Sequence, residues 1–333
     1  MTALATVAYA PLLAAALAGV GVPEGTAQDL VHNVAASDPT APVTIGVLPE
    51  AALSRGEALL AAQPALPPFL GSGGGRFEAE AVSGSGRFQF SSRHEWPIWV
   101  RAEGEWSSGE TSGSRSFHTE IGGHFYRQKN LRIGGMIQSD RRAGTRDSVR
   151  LKREDWMAGP YVVMKHGGQP LVFSGSLLLG TGRISAGASG TAQSYSAFRS
   201  ILTLGVTGSV QLPGMTLLPH LKFGHLSGYS PVYSAPAQAS EAISVIKSEV
   251  GLDFSRPIGA ADRGLELVGG LTGHLSRAER DRELEDLSYG RVDLGLRHSD
   301  SAGSETRIST FVDGLGGDRQ SNVGIGLYLD QKF

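Results

Sequence analysis

The sequence contains no cysteine, and that absence removes disulfides, thiolate metal sites and cysteine nucleophiles from consideration. Long apolar runs are missing as well. Past the N-terminal stretch no segment reaches the roughly 18 apolar residues of a membrane-spanning helix, so a helical membrane protein is excluded. Charge of one sign is also lacking: 30 Lys+Arg stand against 32 Asp+Glu, a net charge of −2, which gives no reason to expect nucleic acid as a partner. Neither a helix-opening G-x-G-x-x-G nor a G-x-x-x-x-G-K-[ST] occurs, so no nucleotide site or other cofactor is expected. What is abundant is glycine, 46 of 333 residues, with 40% hydrophobic and only 19% charged residues. Apolar residues are diluted along the chain, as in strands that each carry one apolar face.

The N-terminus has no Lys or Arg before Arg55. Thr2 to Pro23 is uncharged and rich in Ala and Leu, and Gly25-Thr26-Ala27 offers a small-residue cleavage site before Gln28. Two readings of residues 1–27 stand: an export signal without its basic region, or a piece of exported passenger. Residues 28–75 read as linker with one short helix at about 50–63. Pro49 and Glu50 open it, Leu53, Leu59 and Leu60 follow, and Pro64 ends it. The Pro- and Gly-rich stretch from Pro67 to Gly75 is a hinge. Residues 76–96 carry Phe77, Phe88 and Phe90 among Ser and Gly and form a lead-in.

From Pro97 the pattern is regular. Ile98, Val100, Ala102 and Trp106 alternate with Trp99, Arg101, Glu103 and Glu105; Phe117, Thr119, Ile121 and Phe125 interleave with His118, Glu120, His124 and Tyr126. Leu131, Ile133 and Ile137 then alternate with Arg132, Met136 and Gln138. Such period-2 segments recur to Phe333, predicting twelve strands. Their links alternate between short (127–129, 167–168, 212–214, 257–263, 299–303) and long and polar (107–114, 139–153, 183–196, 228–242, 277–285, 314–320). Short turns at one rim and long loops at the other describe an up-and-down membrane barrel; a β-sandwich has no reason to sort its loops this way. Segment lengths agree, because a tilted spanning strand needs about 9–11 residues whereas soluble strands average about 5–6. The expected fold is therefore all-β, a twelve-stranded antiparallel transmembrane barrel over 97–333 behind a short N-terminal helix and linker. Arg101, Glu103, Glu105, His118, Glu120, His124, Lys222, Glu249, Asp253, Glu266, Arg291, Asp293 and Arg297 fall on its inner face.

Trp99 through Ile137, the segment Trp156-Met157-Ala158-Gly159-Pro160-Tyr161 and the end from Gly324 to Phe333 resemble the autotransporter C-terminal β-barrel, or translocator, family. The resemblance covers roughly Pro97 to Phe333. It implies a twelve-stranded barrel in the bacterial outer membrane, a helix threading the lumen, and a passenger exported N-terminally. The helix near Glu50 to Gln63 is the candidate plug. It also implies that Ile325, Leu327, Leu329 and the terminal Phe333 form the signal read by the barrel-assembly machinery. Gln331 departs from the aromatic or apolar residue usual at its position.

Other chemistry is weaker. His118 and His124 with Glu120 between them are residue types for a metal or acid–base site, but every strand of a barrel needs inward polar residues, and lumen lining explains them without a metal. Ser227 in Gly224-His225-Leu226-Ser227-Gly228 lacks the preceding glycine of a nucleophile elbow and opens no helix. Arg141, Arg142, Arg146, Arg150, Lys152 and Arg153 make one loop basic; lipopolysaccharide contact and plain solvation both account for it. The expected function is a monomeric translocator of type V secretion, without enzyme activity, whose partners are outer-membrane lipid or lipopolysaccharide, the assembly machinery and its own passenger. A stand-alone porin-like barrel is the alternative, and a barrel-embedded hydrolase the third.

Overall fold

The computed structural model describes residues 56–70, 76–83, 87–93, 98–108, 112–146, 149–188, 191–234, 237–259, 264–280, 283–301, 303–317 and 321–332. The expected export signal, the first residues of the expected helix and Phe333 lie outside these. Residues 56–61 are helical and Pro67–Leu70 form a 3-10 turn.

Fifteen strand segments follow: β1 Arg76–Val82, β2 Arg87–Arg93, β3 Ile98–Ser108, β4 Ser112–Gln128, β5 Leu131–Arg146, β6 Val149–Lys165, β7 Leu171–Ala188, β8 Thr191–Gly208, β9 Val210–Leu212, β10 Met215–Ser234, β11 Ala237–Pro257, β12 Leu265–Arg280, β13 Glu283–Ser299, β14 Glu305–Leu315 and β15 Asn322–Lys332. All pairings are antiparallel between chain neighbours, and β1 pairs with β15 to close the sheet. Closure leaves no edge whose backbone groups would need another partner.

β9 continues β8. Thr207 faces His220 and Leu212 faces Met215, one unbroken register on β10. The ladder lapses at Gly208 and Ser209, where the partner strand carries Pro219, a residue without an N–H to donate. Fifteen segments therefore make fourteen staves, not the twelve expected. The two additional staves are β1 and β2, each of 7 residues. Their outward positions include Ala79, Ala81 and Ser92 among the phenylalanines, so the apolar alternation that marks the other strands is faint.

A second correction concerns the long loops. Most are strands: β5 and β6 run on to Arg146 and from Val149, β7 and β8 to Ala188 and from Thr191, and β10 and β11 to Ser234 and from Ala237. The strands of this wall have 16 to 21 residues, well beyond the spanning length, and form hairpins that rise past the far rim. The strict apolar–polar alternation lapses in these stretches of sequence, which is why the pattern reads as loop. The near rim keeps tight turns, such as Pro213-Gly214, with Gly214 at a positive φ of 75°.

The outer face carries the apolar residues: Val100, Ile121, Ile137, Leu221, Val250, Leu271, Ile308 and Val323 are all exposed. A packed core lies inside the barrel instead, where it meets residues 56–70.

Candidate functional site

Inward residues of nine staves share one register line. Trp99 pairs with Gly122, Gly122 with Met136 and Met136 with Gly159; the register of β6 and β7 sets Gly159 opposite Leu178. Leu178 then pairs with Ile201, Ile201 with Leu226, Leu226 with Val245 and Val245 with Ala278. This row is apolar where a water-filled barrel would be polar. Because staves tilt in a closed barrel, it climbs from the second residue of β3, at the near rim, to the last turn-ward residues of β12, at the far rim.

Residues 56–70 lie along that row and descend it. At the far-rim end Gly56 sits against Val245, where a Cβ would come within 2.8 Å of its methyl, and the Ser276 hydroxyl donates to Glu57 (2.9 Å). Leu60 fills the space left by Gly224. Leu59, Leu60 and Leu66 are buried against the wall, each contributing about 1.5–3 kcal/mol of apolar burial. At the near-rim end Phe69 meets Trp99, His124 and Tyr161, with ring centroids 5.1 to 5.8 Å apart. The Trp99 indole N–H can only donate, so it gives its hydrogen to the Tyr161 oxygen (2.9 Å), and the same Tyr161 hydroxyl is hydrogen-bonded to His124 Nδ1 (2.8 Å).

Arg101 ties the segment to the wall. Ala62 makes the last backbone bond of the helix, to Ala58, and its own carbonyl has no helical partner; Arg101 donates to it. The same guanidinium reaches Gln89 (3.0 Å), Glu103 (2.8 Å) and Glu120 (3.2 Å). Glu120, wholly buried, also takes His118 Nε2 at 3.0 Å. His118 continues to Asp140 (3.6 Å). Asp140 faces Asp155 across β5 and β6, and Arg153 and Arg199 approach Asp155 at 3.2 and 3.3 Å. Gln63 donates to Gln138 at 3.1 Å in the same region.

The wall from β10 through β15 is different. Lys222 pairs with Glu249 (2.8 Å), His220 stands 3.4 Å from Glu249 and from Asp253, and Arg297 binds Glu266. Arg291 lies over the Phe311 ring at 4.2 Å, and Arg307 meets Asp293 at 3.5 Å. Several of these side chains are solvated: Lys222 is 58% exposed, Asp253 45% and Arg307 41%, against 9% for Arg101, while His220 and Glu249 beside them stay largely buried at 10% and 19%.

The lumen residues expected from sequence thus divide. Arg101, Glu103, His118, Glu120 and His124 surround the segment, Glu105 is exposed above them, and Arg291 and Asp293 belong to the solvated wall. His118 and His124 are held in separate networks, and no metal-holding group of three or more His and acidic side chains occurs among the described residues. Ser227 is mid-strand on β10, hydrogen-bonded to Ser200 (2.7 Å), while His225 meets Ser244 (3.2 Å). On β15, Ile325, Leu327 and Leu329 are exposed outward, and Asp330 turns inward to Arg76 at 2.5 Å. Sequence reasoning missed Asp140, Asp155, Arg199 and the apolar row itself, and read Arg153 as part of a basic loop where the structure sets it inward beside Asp155. The signal was there in Met136, Met157, Leu178, Ile201 and Val245, apolar residues on faces whose other members are polar.

No protein-family model matches the chain, and no curated protein does. Among solved structures it is similar to the β domain of the Bordetella autotransporter BrkA, at 13% identity and a TM-score of 0.46 over 79% of this chain and 100% of that one. It is similar to the translocator domain of the autotransporter NalP from Neisseria meningitidis, at 14% identity and 0.44 over 86% and 95%. The toluene transporter TodX of P. putida is a further likeness, at 13% identity and 0.48 over 84% and 94%.

Proposed function

We propose that this chain is an outer-membrane translocator barrel of the autotransporter type, inserted by the assembly machinery and carrying its N-terminal part through its own lumen. The observation that supports this reading best is the course of residues 56–70. They run from the far rim at Val245 and Ser276 to the near rim at Trp99, and the chain then enters β1 at Arg76. A passenger ahead of Gly56 would leave at the hairpin side, which is the extracellular side of such a barrel. We assign the chain no enzyme activity.

A second reading, a channel barrel whose N-terminal segment stays inside, is favoured by the solvated β10–β15 wall and by fourteen staves in place of twelve. Protease-cleavable tags on intact cells separate the two. The translocator reading expects a tag ahead of Gly56 and a tag at Ala237 to be cut from outside, with a tag at Gly168 protected. Protection ahead of Gly56 together with cleavage at Ala237 would overturn it in favour of the channel.

A further inference from the structure

Outward residues of β4 to β7 above the apolar belt carry a charge pattern that the lumen does not explain. Two register lines cross these strands side by side: Phe117, Arg141, Glu154 and Arg183 form one, and Trp106, Arg115, Ala143 and Lys152 the other. Arg115, Arg141, Lys152 and Arg183 are all exposed and alternate with the inward His118, Asp140, Arg153 and Ile184, so all four point away from the lumen. Each lies diagonally from the next on the adjacent strand. Diagonal neighbours are about 7–8 Å apart, which puts four cations within reach of one ligand carrying two phosphates.

The counter-charge is small. Glu154 is the one acid on these two lines; it stands 3.9 Å from Arg141, and both are more than half exposed, a geometry that contributes little. The sector across β12 and β13 at the same rim is balanced instead, with Arg277 fully paired to Asp286 through two bonds of 2.7 and 2.9 Å. Directly beneath and beside the basic patch are Trp106, Phe117, Trp156 and Phe198, all exposed on the outer face. Aromatic girdles sit at headgroup level in barrels of this kind. The patch is therefore held at the height of lipid phosphates, beside rings that meet acyl chains and sugar.

We propose that Arg115, Arg141, Lys152 and Arg183 form a binding site for the phosphates of an acylated, bisphosphorylated glycolipid of the outer leaflet. Guanidinium groups bind phosphate through paired N–H donors, and the lysine adds a mobile point charge. The basic stretch 139–153 thus splits by period two. Arg141 and Lys152 serve the lipid, while Arg142, which donates to Ser114, and Arg153 face the lumen.

This site rests on the outer-membrane reading, and the test keeps the two apart. Refolded protein in neutral detergent is first checked for heat-modifiable mobility; its absence would count against the barrel in the membrane, not against the site. The folded protein is then titrated with bisphosphorylated lipid A, with the same lipid stripped of phosphate, and with inorganic phosphate. The expected result is binding of the phosphorylated lipid at least about tenfold tighter than of the stripped one, with inorganic phosphate far weaker than either. Replacing all four basic residues by Gln should abolish the preference, and Arg277→Gln should leave it intact. Equal affinity of the unaltered protein for both lipids would overturn the site, and this needs no variant to fold. So would a four-residue variant, folded by the mobility check, that keeps the preference. Inorganic phosphate binding as tightly as the lipid would overturn the lipid assignment.

Discussion

Arg101 and Arg307 are the same residue type on the same face of one sheet, yet their surroundings are opposite. Arg101, on the β3 side, is buried and satisfied by four acceptors, one of them the backbone carbonyl of Ala62. Arg307, on the β14 side, is 41% exposed and has Asp293 at 3.5 Å. The strands do not differ in kind; what differs is the cover of residues 56–70, which lie against β3 to β12 along the apolar row. Removing charges from water is costly unless they are paired, and the β2–β8 wall pairs them in a connected chain from Arg87 on β2 through Glu103, Arg101, Glu120 and His118 to Asp140. Lumen charges on the open wall need no such density, because water does the same work. Around Arg101, burial of lumen charge therefore goes with contact to the segment.

The largest test of this contrast is Glu120→Ala. It removes the wholly buried carboxylate shared by Arg101 and His118 and should cost about 3–5 kcal/mol, read as a drop in the guanidinium midpoint of the heat-modifiable form. A loss under about 1 kcal/mol would mean that water reaches this wall and that the two sides are alike. Leu59→Ala comes next. Leu59 is fully buried between helix and wall, and its truncation should cost about 2–5 kcal/mol and make residues 56–70 more accessible to protease. Unchanged accessibility would show that the segment is held by its polar contacts alone.

The legibility of these regions in the sequence follows the same physics. β3, β14 and β15 are readable because their outward residues are apolar and exposed while their inward ones are charged or polar, so Ile98-Val100 and Val323-Ile325-Leu327 alternate cleanly. β1 and β2 are not: seven residues with Ala79, Ala81 and Ser92 outward give too little contrast. Where β5 and β6 leave the belt both faces carry charged residues, so Arg141 and Arg153 look like neighbours in one loop although they point to opposite sides. Met136, Leu178 and Val245 broke the expected polar-in rule, and that breach is the trace of the segment that covers them. Its position could not be read directly, because Leu59, Leu60 and Leu66 look like any short amphipathic helix and turn until the buried wall residues they pack with are known.

Lys222→Gln carries the smallest expected effect and sharpens the comparison from the wet side. Lys222 is directly opposite Glu249 in the β10–β11 register and binds it at 2.8 Å, a geometry as short as any ion pair around Arg101. Distance alone would therefore rank the two together. Exposure separates them, since the Lys222 ammonium keeps most of its hydration in place and its loss leaves Glu249 facing His220, His274 and water. Removing such a pair should change stability by about 0–1 kcal/mol, against the several expected at Glu120. Its electrostatic consequence is larger than its energetic one: the variant adds one net negative charge to the solvated side of the lumen. In planar bilayers its current, where the barrel conducts, should shift toward cations, with the shift fading as salt is raised toward molar concentration and the Debye length shrinks to about 3 Å. A destabilisation by Lys222→Gln equal to that of Glu120→Ala would show that the β10–β15 wall is as closed to water as the β3–β8 wall, and the division of the lumen into a packed and a wet side would fail.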